Sequence, residues 1–349
     1  MKNYTLKINP KNNQRVLVLS DIHGNIELFH KILKSLQFTK EDILIINGDV
    51  SEKGIHSIEI FYEIMALQEN HQVYMTLGNC DNLINHFSDS SKNEGMERYM
   101  NSRPLTFLNE LRQEYNSNAG YLELVDYAQK QHQKLLNFIA QLPVIIEAPH
   151  FVCVHAALLP NGSQDLKENI TKPWFLKDDV VFDKPVIVGH FPCCLYSQTY
   201  MCHNVIFNYN KNIIATDGGN SIKDEGQMNV IEIINDQFTA YAFDLLDYID
   251  APYPQKRVDR LHIHWFELEI ELLEIGEEYS LIHHLESLEE LWVYNEFIDF
   301  KTESLNRDYT NSLVEVKMSD KIHIIYETTK AYYIKCNGYV GWLNKKHHS

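Results

Sequence analysis

The feature that most constrains the fold of this chain is a series of short apolar segments that alternate with stretches of helical periodicity. Residues 15–20, 42–47 and 73–77 are rich in Val, Leu and Ile, which is typical of buried strands. Between them, apolar residues recur every three or four positions, as on one face of an α-helix. Because this strand–helix–strand order requires crossover connections, the sequence predicts an α/β fold with a parallel core.

A second set of apolar segments follows later in the chain at short intervals. These segments are residues 151–154, 185–188, 212–215, 228–233 and 238–243. Their close spacing predicts a second, partly antiparallel sheet that packs on the first. Residues 82–141 between the two sets are mostly polar with helical periodicity, which predicts a helical insertion over one end of the sheet.

The length of 349 residues suggests two domains. Pro252 and Pro254 stiffen the chain and interrupt strand pairing, so we predict a linker at 251–260 after a first domain of residues 1–250. Residues 261–346 are rich in Tyr, Ile, Val and Trp, which predicts a small β-module. Its two loosely similar stretches leave open one barrel with an extra hairpin or two tandem repeats.

The charge balance limits the classes of partner. Lys and Arg number 31 against 48 Asp and Glu, which gives a formal charge of −17 and argues against a broad nucleic-acid surface. Bound cations reverse the local field, so a small phosphorylated substrate remains compatible. The first residues lack a secretory apolar segment, and no apolar run reaches the ~18 residues that span a bilayer. We therefore expect a cytoplasmic protein with reduced cysteines and no membrane association.

Polar residues and glycine follow five of the predicted strands at their carboxyl ends. In chain order these segments are Asp21-Ile22-His23-Gly24-Asn25, Gly48-Asp49, Gly78-Asn79-Cys80-Asp81, His155-Ala156-Ala157 and Gly189-His190. In open α/β sheets, binding sites form at this end of the strands. Carboxylate, amide and imidazole groups together suit Mn²⁺, Fe²⁺ or Zn²⁺. Each motif alone is weak, but their conjunction predicts a divalent-metal site.

The same motifs resemble those of the calcineurin-like metallophosphoesterase superfamily. The similarity extends over about residues 15–245 and includes the segments 141–143, 151–160 and 215–219. It is strongest to serine/threonine phosphoprotein phosphatases and bacterial diadenosine tetraphosphatases. The resemblance implies a four-layer αββα sandwich.

The resemblance also implies the metal ligands and the reaction. Asp21, His23 and Asp49 would bind a first ion, and Asp49, Asn79, His155 and His190 a second. The ions would be Mn²⁺, with Fe²⁺ or Zn²⁺ as alternatives. Catalysis would be direct attack on phosphorus by a hydroxide that bridges the two ions, with no phosphoenzyme.

Three departures from the family pattern affect the predicted substrate. Cys80 stands where close relatives have a histidine that protonates the leaving oxygen, so it is either a poorer catalytic acid or a residue that fills space. Glu52 and Lys53 stand where the phosphatases have aspartate and arginine, and the resemblance implies a catalytic part for Glu52 together with Asp49, Asn79 and Cys80. Lys53 is then a looser phosphate contact or a solvated lysine, and Lys177 is a weaker candidate for a second phosphate contact. His190 is not followed two residues later by a second histidine, which favours the protein-phosphatase-like ligand set.

We therefore expect a two-metal phosphoesterase, with a serine/threonine protein phosphatase-like monoesterase as the first prediction. A phosphodiesterase or dinucleoside polyphosphate hydrolase is the alternative, so the substrate is a phosphoprotein or a nucleotide. A metal-binding or peptide-binding module without catalysis is the alternative of another class. The C-terminal part resembles bacterial SH3-like modules at residues 332–342, where Tyr332, Tyr333 and Trp342 either bind a protein partner or fill the core of the module.

Overall fold

The computed structural model of the protein describes residues 4–86, 93–160 and 165–346. Two compact units divide the chain. The N-terminal unit consists of Met1–Cys193 and Asn204–Leu245, and the C-terminal unit consists of Cys194–His203 and Leu246–Ser349. Sequence periodicity gave no sign that residues 194–203 belong with the C-terminal strands.

The strands and helices of the N-terminal unit follow the predicted alternation. Its strands are β1 (Thr5–Lys7), β2 (Val16–Leu19), β3 (Ile43–Ile46), β4 (Gln72–Met75), β5 (Ile145–Glu147), β6 (Val152–Val154), β7 (Val186–Val188), β9 (Ile206–Asn208), β10 (Ile213–Ala215), β11 (Met228–Ile234) and β12 (Gln237–Phe243), while β8 (Met201–Cys202) belongs to the C-terminal unit. Its helices are α1 (Ile26–Ser35), α2 (Ser57–Gln68), α3 (Asn79–Ile84), α4 (Asn93–Ser102), α5 (Phe107–Tyr115), α6 (Tyr121–Gln131), α7 (Gln133–Ala140) and α8 (Leu166–Thr171).

The first sheet has the strand order β12-β11-β2-β3-β4. Strands β2, β3 and β4 are parallel, whereas β11 is antiparallel to β2 and to β12. The sequence predicted that β11 and β12 lie in the second sheet, and this prediction is wrong. The spacing of the segments predicts a hairpin, but only packing decides which sheet the hairpin extends. Here Ile231 and Ile233 of β11 enter the core between the sheets, and Val230 packs with the helices.

The second sheet has the order β1-β5-β6-β7-β10-β9 and mixes parallel and antiparallel neighbours, as predicted. Strands β1 and β5 were not predicted, because three residues carry too little pattern to recognise. The two sheets pack face to face. Val18 and Ile45 of the first sheet share one hydrophobic core with Cys153 and Ile187 of the second.

Helices cover the other face of the first sheet. Phe29 of α1 and Phe61 of α2 are fully buried there, in a core that also contains Leu108, Leu124 and Leu135 of the helical block. The helical block is α4 to α7, which lie within the predicted insertion, whereas α3 begins three residues before it. The α/β class with two packed sheets is confirmed. The N-terminal unit also contains a 3-10 turn at Phe175–Lys177, and Leu166 of the short helix α8 packs against the same core.

The C-terminal unit is built from β-strands and short turns over its described residues. Its strands after β8 are β13 (Ile249–Asp250), β14 (His262–Ile263), β15 (Ile270–Glu274), β16 (Tyr279–His284), β17 (Glu289–Tyr294), β18 (Ile298–Asp299), β19 (Ser304–Leu305), β20 (Tyr309–Thr310), β21 (Lys321–Glu327), β22 (Ala331–Cys336) and β23 (Tyr339–Asn344). They form the sheets β13-β21-β22-β23-β8 and β15-β16-β17 and two strand pairs. This arrangement agrees with the predicted all-β module, whose likeness to SH3 modules stays a prediction.

The predicted linker at 251–260 takes part in this unit. The backbone N–H of Gln255 donates to Val316 O over 2.9 Å, and that of Val258 donates to Leu313 O over 3.1 Å. Prolines remove only their own donors, so the residues after Pro254 remain free to pair. The division between the units falls at Leu245, five residues before the predicted domain end.

The aromatic residues of the C-terminal motif mostly fill the interior of the module. Tyr333 and Trp342 are 2% and 6% exposed, and the indole N–H of Trp342 donates to Thr310 O over 3.0 Å. Tyr332 is half-buried, with the Lys345 ammonium 4.6 Å from its ring centre. Binding of a protein partner by this module stays a prediction. Among the described residues of the whole chain, no helix is both long and apolar enough to cross a membrane.

Candidate metal centre

The predicted polar residues meet at the carboxyl edge of both sheets. Asp21, Asp49 and Asn79 follow β2, β3 and β4 of the first sheet, and His155 and His190 follow β6 and β7 of the second. Asn47 ties the two edges together, because its buried amide donates to Val154 O over 2.9 Å and to Ile187 O over 3.1 Å. The strand ends therefore place side chains that are far apart in sequence in one buried site.

The backbone at this edge is strained. Asp21, His23, Asp49 and His190 all have positive φ angles, between 49° and 66°. Such conformations cost free energy in residues other than glycine and concentrate at functional sites. The surrounding hydrogen bonds and packing hold these four side chains in place.

Glycine is required beside these residues because neighbouring side chains lie too close to its Cα for a Cβ atom to fit. A Cβ atom on Gly78 would lie 2.2 Å from Asp49 Oδ1, and one on Gly189 would lie 2.3 Å from Asp21 Oδ2. The repeated glycine in the motifs thus has a steric origin.

His23 lies between two carboxylates on the side of the first sheet. Its Nε2 is 3.8 Å from Asp21 Oδ1 and 4.0 Å from Asp49 Oδ2, while its Nδ1 is 3.1 Å from Ser51 O. Burial lowers the pKa of His23 to about 3, so the ring is neutral near pH 7. With the Nδ1 proton directed at the carbonyl, the Nε2 lone pair faces the carboxylates and the Lys53 ammonium 3.3 Å away, which a metal ion bound to Nε2 would displace.

The two histidines of the second sheet lie on the other side of Asp49. Ligand atoms of Asp49, His155 and His190 all lie within 4.8 Å of one another. His155 Nε2 is 3.3 Å from Asp49 Oδ1, and the amide of Asn79 lies 3.1 Å from His155 Nε2 and 2.8 Å from His190 Nδ1. Burial lowers the pKa of His190 to about 4, which keeps this ring neutral as well.

The residues present fit divalent metal ions. Asp21 Oδ1 is buried without a hydrogen-bond partner among the described residues, in a side chain that is 2% exposed. A buried carboxylate oxygen without a partner is costly unless a cation satisfies it. Asp49 faces His23 with one oxygen and His155 with the other, so it is placed to bridge two ions. The carboxylate, amide and imidazole donors suit Mn²⁺, Fe²⁺ or Zn²⁺.

Lys53 brings a positive charge into this site. Its Nζ lies 3.3 Å from His23 Nε2, and its backbone N–H donates to Leu105 O over 2.9 Å. Burial disfavours the charged ammonium, but Cys80 and the carboxylates of Asp49 and Asp21 outweigh burial and raise the pKa of Lys53. The ammonium is therefore charged at neutral pH. By contrast, the Lys177 ammonium lies 3.7 Å from the ring centre of Trp174, with its side chain exposed.

Cys80 lies at the start of α3 and touches Asp49. Its backbone N–H donates to Asp49 Oδ1 over 2.9 Å, and its Sγ lies within 4.8 Å of ligand atoms of His23 and Asp49. Burial, followed by the charge of Asp49, raises the pKa of the Cys80 thiol well above its usual value. The thiol keeps its proton near pH 7 and is a poor nucleophile.

Asp81 organises the site, and sequence reasoning missed it. Its Oδ2 accepts from the N–H groups of Asp49 and Gly78, over 2.9 and 3.1 Å. Its Oδ1 accepts from the N–H groups of Val50 and Ser51 and from the Ser51 hydroxyl, over 3.0, 3.1 and 3.1 Å. This carboxylate joins the loop that carries Asp49 to the loop that carries Asn79. The available signal was an acid at the third position of a helix, which is typical of a capping residue.

Glu52 joins the metal-binding loop to the helical block. Its carboxylate accepts from the N–H of Phe107 over 2.9 Å and from the hydroxyl of Tyr99 over 2.7 Å. Glu110 of α5 makes the reciprocal contact, since it accepts from the N–H groups of Ser57 and Ile58 over 2.7 and 2.9 Å. These contacts anchor the helical block to the loop, and the predicted catalytic part of Glu52 stays a prediction.

Glu52 is expected to make the stability of the metal-free protein depend on pH. Burial raises its pKa from 4.5 to about 7, so the folded state binds this proton more tightly than the unfolded chain does. The free energy of unfolding therefore falls as pH rises through this range, by roughly 3 kcal/mol in total and about 1.4 kcal/mol between about pH 6 and 8. Urea unfolding with a chelator should show this fall in the wild type and a smaller one in Glu52→Gln. Equal slopes in the two proteins would contradict the assignment.

Comparisons with known proteins agree with this geometry. A family model described as calcineurin-like phosphoesterase matches residues 14–224, more than half of the chain. Shewanella-like protein phosphatase 1 of Plasmodium berghei (strain Anka) is 25% identical over 165 residues. That match covers 43% of this chain and 41% of the relative, so the chain spans less than half of the relative's length.

The matches to solved structures have low identity and TM-scores below 0.5. One described as a diadenosine tetraphosphatase is 19% identical, with a TM-score of 0.47, and the match covers 69% of this chain and 98% of that one. A protein serine/threonine phosphatase from Saccharomyces cerevisiae is 12% identical, with a TM-score of 0.48 and coverage of 70% and 85%. From the match of the family model to more than half of its length, the chain belongs to the calcineurin-like phosphoesterase family.

Proposed function

We propose that this protein hydrolyses phosphate monoesters and that its physiological substrates are phosphoproteins. The observation that carries the proposal is the charged Lys53 ammonium beside the converging ligands, 3.3 Å from His23 Nε2. A phosphate monoester is a dianion near neutral pH, whereas a diester carries one charge, so an ammonium in the site favours the monoester. The relative from Plasmodium berghei, described as a protein phosphatase, supports the same substrate class.

The residues divide into two groups around Asp49 in this proposal. Asp21, His23 and Asp49 would hold one ion, and Asp49, Asn79, His155 and His190 the other. Two bound cations supply a Lewis acid for the phosphoryl group and lower the pKa of a coordinated water. The neutral rings of His23 and His190 keep lone pairs for the ions at neutral pH. Lys53 would contact a phosphoryl oxygen, and Asp81 keeps the two ligand loops in position.

A second candidate function rests on Cys80. An alkoxide leaving group from phosphoserine needs a proton, and the raised pKa of the Cys80 thiol makes it a weak acid. A phosphate leaving group, as in a dinucleoside polyphosphate, departs without that proton. This residue therefore favours the dinucleoside polyphosphate hydrolase as the alternative to the monoesterase.

Turnover of paired substrates distinguishes these functions. The full chain would be stripped of metal, loaded separately with Mn²⁺, Fe²⁺ or Zn²⁺, and given an aryl phosphate monoester, an aryl phosphate diester, a phosphoserine peptide and diadenosine tetraphosphate. We expect the largest kcat/KM on the monoester and turnover of the peptide. A preference for diadenosine tetraphosphate would select the second function. Binding of two ions without turnover of any of these substrates would contradict both.

Lys53→Met is expected to raise KM for the aryl monoester about tenfold, because a charge-assisted contact to phosphate contributes roughly 1.4 kcal/mol or more. The effect on the diester should be smaller, since it offers less charge. Steady-state kinetics on both substrates checks this. Lys130→Met is the matched control, because Lys130 is an exposed lysine paired with Asp126 on α6. An unchanged KM in Lys53→Met would place Lys53 outside the substrate site.

Lys177→Met tests the other predicted phosphate contact. Its ammonium is already engaged with Trp174, so we expect KM to change less than about twofold. A rise comparable to that of Lys53→Met would show that Lys177 binds substrate.

A further inference from the structure

Asp217 is a buried carboxylate at the same edge of the sheets that the predicted ligand set does not include. It follows β10, so it is the sixth strand end to bring a polar side chain here. The residue is 1% exposed. Its Oδ1 accepts from the N–H of Gly219 over 2.8 Å, whereas its Oδ2 has no hydrogen-bond partner among the described residues.

Hydrogen bonds fix the loop of Asp217 beside the loop of Asp21. The hydroxyls of Ser20 and Thr216 lie 3.0 Å apart, and each residue directly precedes one of the two aspartates. Asn220 donates its amide protons to Asp21 O over 3.1 Å and to Ile22 O over 2.8 Å. These hydrogen bonds hold the two strand ends together and place Asp217 beside Asp21.

The carboxyl oxygens of Asp21 and Asp217 are not fully satisfied by other groups of the described residues. Asp21 Oδ1 and Asp217 Oδ2 are both buried oxygens without partners, and Asp49 adds a third carboxylate. Lys53 is the cationic side chain that faces all three among the described residues. Asp21 Oδ1 and Asp217 Oδ2 nevertheless have no hydrogen-bond partner, and a buried polar oxygen without a partner is costly. A cation bound beside Asp21 would satisfy both oxygens.

The expected ligand sets also give the first ion fewer protein ligands than the second. The second ion would have four protein ligands, whereas the first would have only Asp21, His23 and Asp49. We propose that Asp217 binds the first ion through Oδ2, beside Asp21, as its fourth protein ligand. This inference rests on the proposed function only in requiring that divalent ions bind here.

An additional carboxylate changes which metal ion the first site prefers. Three carboxylates and one imidazole make a harder, more anionic site than the second, which has one carboxylate, one amide and two imidazoles. Hard oxygen donors favour Mn²⁺ over thiophilic or nitrogen-seeking ions. The first site is therefore expected to retain Mn²⁺ in competition with Zn²⁺ better than the second site does.

Metal titration of Asp217→Asn tests the assignment without depending on turnover. Calorimetric titration of the full chain with Mn²⁺ should show two ions in the wild type. In Asp217→Asn, one ion should bind at least about tenfold more weakly while the other changes less than about twofold. Asp179→Asn is the control, because Asp179 is an exposed aspartate of the same unit. Unchanged binding, or an equal loss at both sites, would overturn the inference.

A crystal structure of the Mn²⁺-loaded wild-type protein keeps the inference testable if Asp217→Asn fails to fold. We expect Asp217 Oδ2 within about 2.3 Å of the ion that Asp21 binds, the usual range for carboxylate ligands of such ions. Two bound ions with Oδ2 more than about 3 Å from both would overturn the Asp217 assignment and leave the proposed function intact. A wild-type protein that binds no divalent ion would overturn both.

Discussion

Asp49→Asn is expected to lower kcat/KM for the aryl phosphate monoester by roughly a thousandfold, or about 4 kcal/mol of transition-state stabilisation. Asp49 faces His23 with Oδ2 and His155 with Oδ1, so it is the one predicted ligand shared by both ions. Its neighbours His155 and His23 and the ammonium of Lys53 outweigh burial and keep the pKa of Asp49 below its usual range, so the side chain is a carboxylate at neutral pH. Asparagine keeps the shape but removes the charge that offsets two adjacent cations.

Kinetics and metal analysis together check this prediction. Metal content after dialysis should fall from two ions to one or none in Asp49→Asn. Asp126→Asn is the matched control, since Asp126 is an exposed aspartate on α6 that pairs with Lys130. If Asp49→Asn retained more than about a tenth of wild-type kcat/KM with two ions bound, the bridging role would be refuted.

Asp81→Ala is expected to produce the largest loss of stability among the changes considered. The substitution leaves four backbone N–H groups and one hydroxyl without their common acceptor in a fully buried position. Each unsatisfied buried donor costs roughly 1–3 kcal/mol, so a total loss above about 4 kcal/mol follows even if the terms are far from additive. Metal affinity should fall as well, because the loops of Asp49 and Asn79 lose their shared anchor.

Urea unfolding followed by far-UV circular dichroism, together with metal titration, measures both effects. Asp81→Asn keeps one carbonyl oxygen and should lose less stability than the alanine variant. Asp126→Ala is again the exposed control. An Asp81→Ala protein that unfolds within about 1 kcal/mol of the wild type would show that the loops do not depend on this carboxylate.

The sequence was informative where function imposes a local signature. Buried strands are continuous apolar runs, and side chains at their carboxyl ends must meet in an open α/β fold. Asp21, His23, Asp49, Asn79, His155 and His190 could therefore be named without coordinates, and the structure brings all six together. Their roles as ligands remain predictions that the metal titrations test.

Contacts between residues far apart in the sequence were not predicted. The carboxylate of Glu52 accepts hydrogen bonds from Tyr99 and Phe107 of the helical block, which its motif does not indicate. Asp81 could be seen as a helix-capping acid, but its contacts to Asp49, Val50 and Ser51 cross from one loop to another. The hydrogen-bond partners of Glu52 and of Asp81 have no fixed spacing in the sequence, so a periodic pattern cannot predict these contacts.

The α/β class, the resemblance to the family and the residues at the strand ends could be read from apolar periodicity and short motifs. Coordinates were needed to see that the β11–β12 hairpin extends the first sheet, that residues 194–203 join the C-terminal unit and that Asp217 lies beside Asp21. Each of these depends on which buried surfaces and hydrogen-bonding groups meet across long stretches of chain. Such pairings are set by packing and by the cost of leaving buried polar groups unsatisfied, which local sequence patterns do not encode.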